Sequence, residues 1–238
     1  MMEKSSPEQV LQNLADLRRQ VKEAALEAGR DPDSIQIMAV TKTVPAPLVN
    51  AAIAGGITLL GENRAQELLE KYPDYHLNQA EVHFIGHLQT NKVRQIVDKV
   101  TMIHSVDRLS LAKEISRRSQ ELGKTMDILL EINVGDEASK SGMPLEQAEG
   151  LAEEIAGLPA LRIRGLMAIP PICGEIHQIE HYFSEIRQLS VDIGAKNRDN
   201  MRMDILSMGM SGDFVPAIRQ GSTMIRLGTA LFGSRHVQ

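Results

Sequence analysis

The sequence predicts a (β/α)8 barrel. The chain has 238 residues, close to the roughly 250 that one such barrel takes. Eight short, β-rich apolar runs alternate with amphipathic helical stretches, the rhythm of a parallel sheet with crossover helices. No G-x-G-x-x-G turn follows the first run, where the dinucleotide-binding half of a doubly wound open sheet would carry one. The expectation is a single domain over residues 1–238, with an extra helix ahead of the first strand.

The opening helix is read over Pro7 to Gly29. Val10, Leu14, Leu17, Val21 and Leu26 fall near helical spacing, and Gly29 supplies a C-cap. The expected strands are Ile35 to Thr41, Thr58 to Leu60, Val82 to Ile85, Met102 to Val106, Ile128 to Val134, Ile163 to Ile169, Asp204 to Ser207 and Met224 to Leu227. Between them lie helical stretches over Leu48 to Ala54, Arg64 to Lys71, Lys92 to Lys99, Leu109 to Leu122, Leu145 to Ala156 and Ile176 to Ile193.

Composition excludes several classes. A net charge of −5 lacks the basic surface with which nucleic-acid binding begins. No run approaches the roughly 20 apolar residues of a membrane span. Cys173 is the single cysteine, and no apolar leader follows Met1, so a cytoplasmic location is expected.

In a barrel the functional groups stand where strands end and βα loops begin. Lys42 closes the first strand. There it is either a solvated loop lysine or an amine that sheds its proton and condenses with an aldehyde. Ser207-Met208-Gly209-Met210-Ser211-Gly212-Asp213 and Gly228-Thr229 follow the last two strands, where such barrels commonly cradle a phosphate. Asp213 as the N-cap of a following helix explains part of the first segment equally well. Arg226 lies inside an apolar strand and needs either a buried ion-pair partner or a ligand. Together, an amine, an arginine and a phosphate cup suit one ligand with an aldehyde, a basic ring nitrogen and a phosphate.

Six ordered stretches carry a resemblance: residues 39–43, 61–63, 83–92, 165–170, 207–213 and 221–233. They resemble the pyridoxal phosphate homeostasis proteins, an alanine racemase-like family that keeps only the N-terminal domain. The resemblance implies the alanine racemase barrel, pyridoxal 5′-phosphate (PLP) as cofactor, and Lys42 as the lysine of its Schiff base. It implies that Ser211, Gly228 and Thr229 bind the phosphate, that Arg226 faces the pyridine nitrogen, and that Asn63, His83, Ser207 and Met210 fall near the cofactor. Thr41, where many relatives have Ser, is a small departure.

The expected function is therefore a non-catalytic PLP-binding protein that buffers the cofactor or delivers it to apo forms of PLP enzymes. A PLP-dependent amino-acid racemase is the alternative. It needs a second base, a tyrosine that alanine racemases take from a C-terminal β domain. Here only Ser234 to Gln238 follow the barrel, and Tyr72, Tyr75 and Tyr182 are poor substitutes, so the carrier is favoured and a monomer expected. A scaffold role through His177, His181, Tyr182 and Phe183 yields to an ordinary barrel helix. His83, His87 and His104 lack metal-ligand spacing. Cys173 near His177 is read as an inert loop thiol. The loop Asp136 to Gly142 is a possible lid, and Lys140 within it a possible transient acceptor for the cofactor.

Overall fold

The computed structural model describes residues 6–135, 141–171 and 175–233. Eight parallel strands close into a barrel in sequence order: β1 (Gln36–Val40), β2 (Leu59–Glu62), β3 (Glu81–Phe84), β4 (Met102–Val106), β5 (Met126–Ile132), β6 (Leu161–Ala168), β7 (Met201–Met210) and β8 (Met224–Leu227), with β8 pairing back onto β1. The helices are α1 (Pro7–Glu27), α2 (Ala46–Ala54), α3 (Ala65–Lys71), α4 (Val93–Ile96), α5 (Leu109–Glu121), α6 (Ala148–Ala156), α7 (Ile176–Gly194), α8 (Phe214–Arg219) and α9 (Thr229–Phe232).

Helix α1 is capped at both ends. Ser6 accepts from the Gln9 amide, and Gly29 takes φ +65° past the last turn. The amides of Gly29 and Arg30 then bond the carbonyls of Leu26 and Ala25, satisfying carbonyls that the helix leaves open. The buried stripe departs from expectation at its end. Leu26 is 58% exposed, while Ala24 and Ala25 are buried, because a step of five from Val21 rotates off the face that steps of three and four keep.

Strand parity builds two cores. Outward residues such as Ala39, Leu60, Phe84, Ile103, Ile128 and Ile225 pack under the helices. Inward ones, Met38, Val40, Leu59, Ile85, Met102, Leu129, Met167, Ile205 and Met224, fill the barrel. The same parity turns His83, His104, Glu131, Ser207 and Arg226 inward, and all five are buried. A barrel interior with four methionines and five polar side chains departs from the branched aliphatic filling usual in this fold.

Strands β4 and β8 match expectation residue for residue; β5 starts and stops two residues early, and β7 runs ten residues where four were expected. Strand β7 is irregular: its register shifts between Ser207 and Met210, and Gly209 sits at φ +94°. A Cβ at Gly209 would stand 2.6 Å from that of Ala217, so the glycine lets α8 close against the strand. The stretch expected as a helix over Lys92 to Lys99 is one 3-10 turn and the short α4. Helix α7 buries Phe183 and exposes His177 and His181, as an ordinary barrel helix does.

Candidate functional site

Lys42 lies two residues past β1, in a turn closed by the Val44 amide donating to the Thr41 carbonyl at 2.9 Å. It is half-buried. Thr43, next in the turn, is at φ +62°, a region that a β-branched residue rarely enters. Val40 pairs with Gly61 across β1 and β2, which sets Asn63 level with Lys42. Asn63 Oδ1 is buried without a hydrogen-bond partner. Gly86 makes room for the Asn63 backbone: a Cβ there would stand 2.1 Å from the Asn63 carbonyl oxygen.

Arg226 is 3% exposed and held by three bonds. Nη1 donates to the Ser207 carbonyl and, at 2.8 Å, to Ser207 Oγ; Nη2 donates to the Ala168 carbonyl at 2.9 Å. Among the described residues no carboxylate comes within ion-pair distance, so carbonyl dipoles, rather than a salt bridge, offset its desolvation. Burial pushes the guanidinium down to about 10, with Asp213 and Glu131 opposing, and it remains charged at neutral pH. Met38 of β1 pairs with Arg226, so Lys42 stands four positions further toward the mouth on the neighbouring chain segment.

Ser207 Oγ is also 3.2 Å from His104 Nδ1, and His104 Nε2 is 3.0 Å from His83 Nδ1. His83 Nε2 then faces Glu81 at 3.8 Å, at the N-terminal mouth. The Glu81 carboxylate can only accept, so His83 turns Nε2–H toward it, His83 Nδ1 accepts from His104 Nε2–H, and His104 Nδ1 accepts from Ser207, whose oxygen still takes the Arg226 bond. His104 is fully buried, and burial first, then His83 and Arg226, lower its pKa well below the usual range, keeping it neutral.

The segments after β7 and β8 meet: Ser211 Oγ accepts from the Ala230 amide at 3.1 Å. Gly228 caps the short α9, and Thr229 is its first residue. A Cβ at Gly212 would meet nothing within 4 Å. Asp213 does stand at the N-cap position of α8, yet its carboxylate turns back to accept from the Met210 amide instead of capping the helix. Met210, paired with Arg226 in the sheet, is 37% exposed at the rim.

The family model described as alanine racemase, N-terminal domain, matches residues 12–236. A pyridoxal phosphate homeostasis protein of Pseudomonas aeruginosa is 42% identical over 226 residues, covering 95% of this chain and 96% of that protein. Its Escherichia coli counterpart is 40% identical over 231 residues, covering 95% and 97%. This chain belongs to the pyridoxal phosphate homeostasis protein family. Among solved structures, PipY of Synechococcus elongatus with PLP bound is 32% identical with a TM-score of 0.83, covering 94% of this chain and all of that one. Alanine racemase of Corynebacterium glutamicum, at 15% identity and a TM-score of 0.70, covering 95% of this chain and 62% of that one, shares the fold.

Within this homeostasis-family barrel, Lys42, Asn63, Met210, Ser211, Gly228 and Thr229 gather at the C-terminal mouth, with Ser207 and Arg226 one layer below. His83 sits furthest away, linked to Arg226 only through His104 and Ser207. The sequence reading missed four contributors. His104, considered there only as a metal ligand, is the middle of the buried chain; its place two residues after inward-facing Met102 was the available signal. Glu131, two residues after inward-facing Leu129, is 8% exposed with Oε2 lacking a hydrogen-bond partner. Burial pushes its carboxyl up to about 7, aided by Asp107 and opposed by Arg226 and Arg108. Glu62 and Lys71 form a buried ion pair at 2.8 Å beneath the Lys42 turn, a tertiary contact with no local signature. Among the described residues, no helix is long and apolar enough to cross a membrane. Lys140 and Cys173 lie outside the described residues.

Proposed function

We propose that this chain is a PLP-binding homeostasis protein that holds the cofactor at the C-terminal mouth of the barrel and buffers it or delivers it to apo forms of PLP enzymes. The observation that carries the reading is the gathering, at one mouth, of a half-buried lysine, a buried arginine, and two adjoining loops rich in glycine and hydroxyl groups. The donor set fits the group. An aldehyde requires an amine, a phosphate requires backbone amides and hydroxyls, and a basic ring nitrogen accepts from a guanidinium. The buried Asn63 Oδ1 adds an acceptor that the protein itself leaves unused.

In this reading Lys42 is the covalent tether. Ser211, Gly228 and Thr229 hold the phosphate, and Arg226 faces the ring nitrogen, with Ser207 fixing it from behind and Asn63 and Met210 at the rim. His83 acts at a distance, through His104. Bound there, PLP supplies a reactive aldehyde and an electron-accepting ring. Arg226 keeps its own protons and, as a cation, disfavours protonation of the ring nitrogen, which weakens that ring as an electron sink.

The chain's own residues favour holding over turnover. Racemisation needs a base on each face of the substrate carbon. The Tyr75 hydroxyl donates to Glu62 at 2.6 Å, and burial together with the Glu62 charge raises its pKa, so it does not supply that base. We further propose that the whole chain works as one cytoplasmic, monomeric domain without substantial catalysis.

The test is an absorbance spectrum of purified protein loaded with PLP, repeated after borohydride reduction, with the modified residue mapped by mass. The expected label is on Lys42, and Lys42→Ala abolishes it. A protein that takes up no cofactor, or a label elsewhere, overturns the reading. Alanine racemisation at roughly 1 per second or faster overturns the non-catalytic assignment.

A further inference from the structure

The turn that carries Lys42 is held from below by a second lysine. Lys71, at the end of α3, donates to the Thr41 carbonyl at 2.8 Å and to the Val44 carbonyl at 3.4 Å. One ammonium therefore ties both ends of the four-residue turn. Its charge is met by Glu62 Oε1 at 2.8 Å and Glu67 Oε1 at 2.9 Å. Glu67 Oε1 also accepts from the Thr43 amide, pinning the residue at positive φ. Glu62 Oε1 further accepts from Thr41 Oγ1 at 2.7 Å, alongside the bond from Tyr75.

Three features make this more than packing. Lys71 retains 15% side-chain exposure and Glu62 none, so the cluster takes charge out of water, a cost that buried pairs seldom repay in stability alone. The bonds converge on backbone atoms at both sides of Lys42. They also hold Thr43 in a conformation that its β-branched side chain opposes, and such strain persists only where its surroundings over-determine it. Two carboxylates against one ammonium leave the cluster negative, so it does not act by depleting the Lys42 proton through cationic repulsion. It acts through geometry.

We propose that Lys71, with Glu62 and Glu67, is a positioning residue that presets the turn presenting the Lys42 amine, and so sets how fast that amine captures an aldehyde. The inference rests on the reading of Lys42 as the tether. In the capture step the neutral Lys42 amine adds to the aldehyde carbon, a C=N bond replaces C=O, and the oxygen leaves as water with the two protons that the amine nitrogen gives up.

The experiment measures the rate of Lys42 labelling by PLP, and separately by pyridoxal, across pH 6 to 9, in the whole protein. Lys71→Met is expected to slow capture by about tenfold or more, the scale of loss that misplacing a reacting group brings. Lys71→Arg is expected to restore most of it. Adding Thr43→Gly to Lys71→Met is expected to recover part, because glycine adopts the turn without the clamp. In the apo protein, amide exchange at Thr43 and Val44 is expected to rise in Lys71→Met. If Lys71→Met does not fold, the pair Lys71→Met/Glu62→Gln, which removes both buried charges, takes its place. Capture rates and pH midpoints equal to the parent's in a folded variant overturn the proposal. A parent label that maps to another lysine refutes the tether reading instead, and the amide-exchange result still tests the clamp on the turn.

Discussion

His104 Nδ1 lies 3.2 Å from Ser207 Oγ, and that contact joins Arg226 to the opposite mouth of the barrel. Because the Glu81 carboxylate at that mouth can only accept, it sets the direction of the protons between His83, His104 and Ser207. Nitrogen NMR is expected to find both His83 and His104 as Nε2–H tautomers, with His104 still neutral at a pH where an ordinary histidine is half protonated. A protonated Nδ1 on neutral His104 would reverse the chain and refute this assignment.

Ser207→Ala removes the link while leaving Arg226 its two carbonyl acceptors. It strands His104 Nδ1 in a fully buried position, which costs about 1–3 kcal/mol. Urea denaturation checks this. A change below about 0.5 kcal/mol would mean that the chain contributes no stability.

The Glu131 carboxyl, pushed up to about 7 from an ordinary 4.5, gives a pH dependence with a definite sign. Between those values the folded protein keeps a proton that the unfolded chain has released. The stabilisation is complete below about pH 4.5 and is lost as pH rises through about 7, an effect of about 3 kcal/mol. Glu131→Gln is expected to remove this slope, so that the variant gains on the parent as pH rises from 5 to 8. A stability difference that stays constant over that range defeats the prediction.

Two glycines at the site should respond unequally to alanine. Gly86→Ala places a carbon where the Asn63 carbonyl oxygen already stands, and should cost about 3 kcal/mol or more through displaced backbone. Gly212→Ala meets open space and should fall within about 0.5 kcal/mol of the parent. Thermal unfolding of the two variants side by side decides it, and equal effects would contradict the backbone contact.

The sequence by itself determined the barrel, the eight strands in order, and Lys42, Arg226 and the two glycine-rich loops at strand ends. These are local signals: apolar periodicity sets the elements, and strand parity sets which residues turn inward. Two of its departures were local in origin: Leu26 broke the helical step, and the Asp213 carboxylate turned back onto the Met210 amide. Only the tertiary structure decided the rest. Lys71 reaches Thr41 from thirty residues away, and His104 reaches Ser207 across 103. Closing the barrel brings His104 and Ser207 together inside it and packs α3 against the ends of β1 and β2, where water competes little and each polar atom takes the partner that the fold provides.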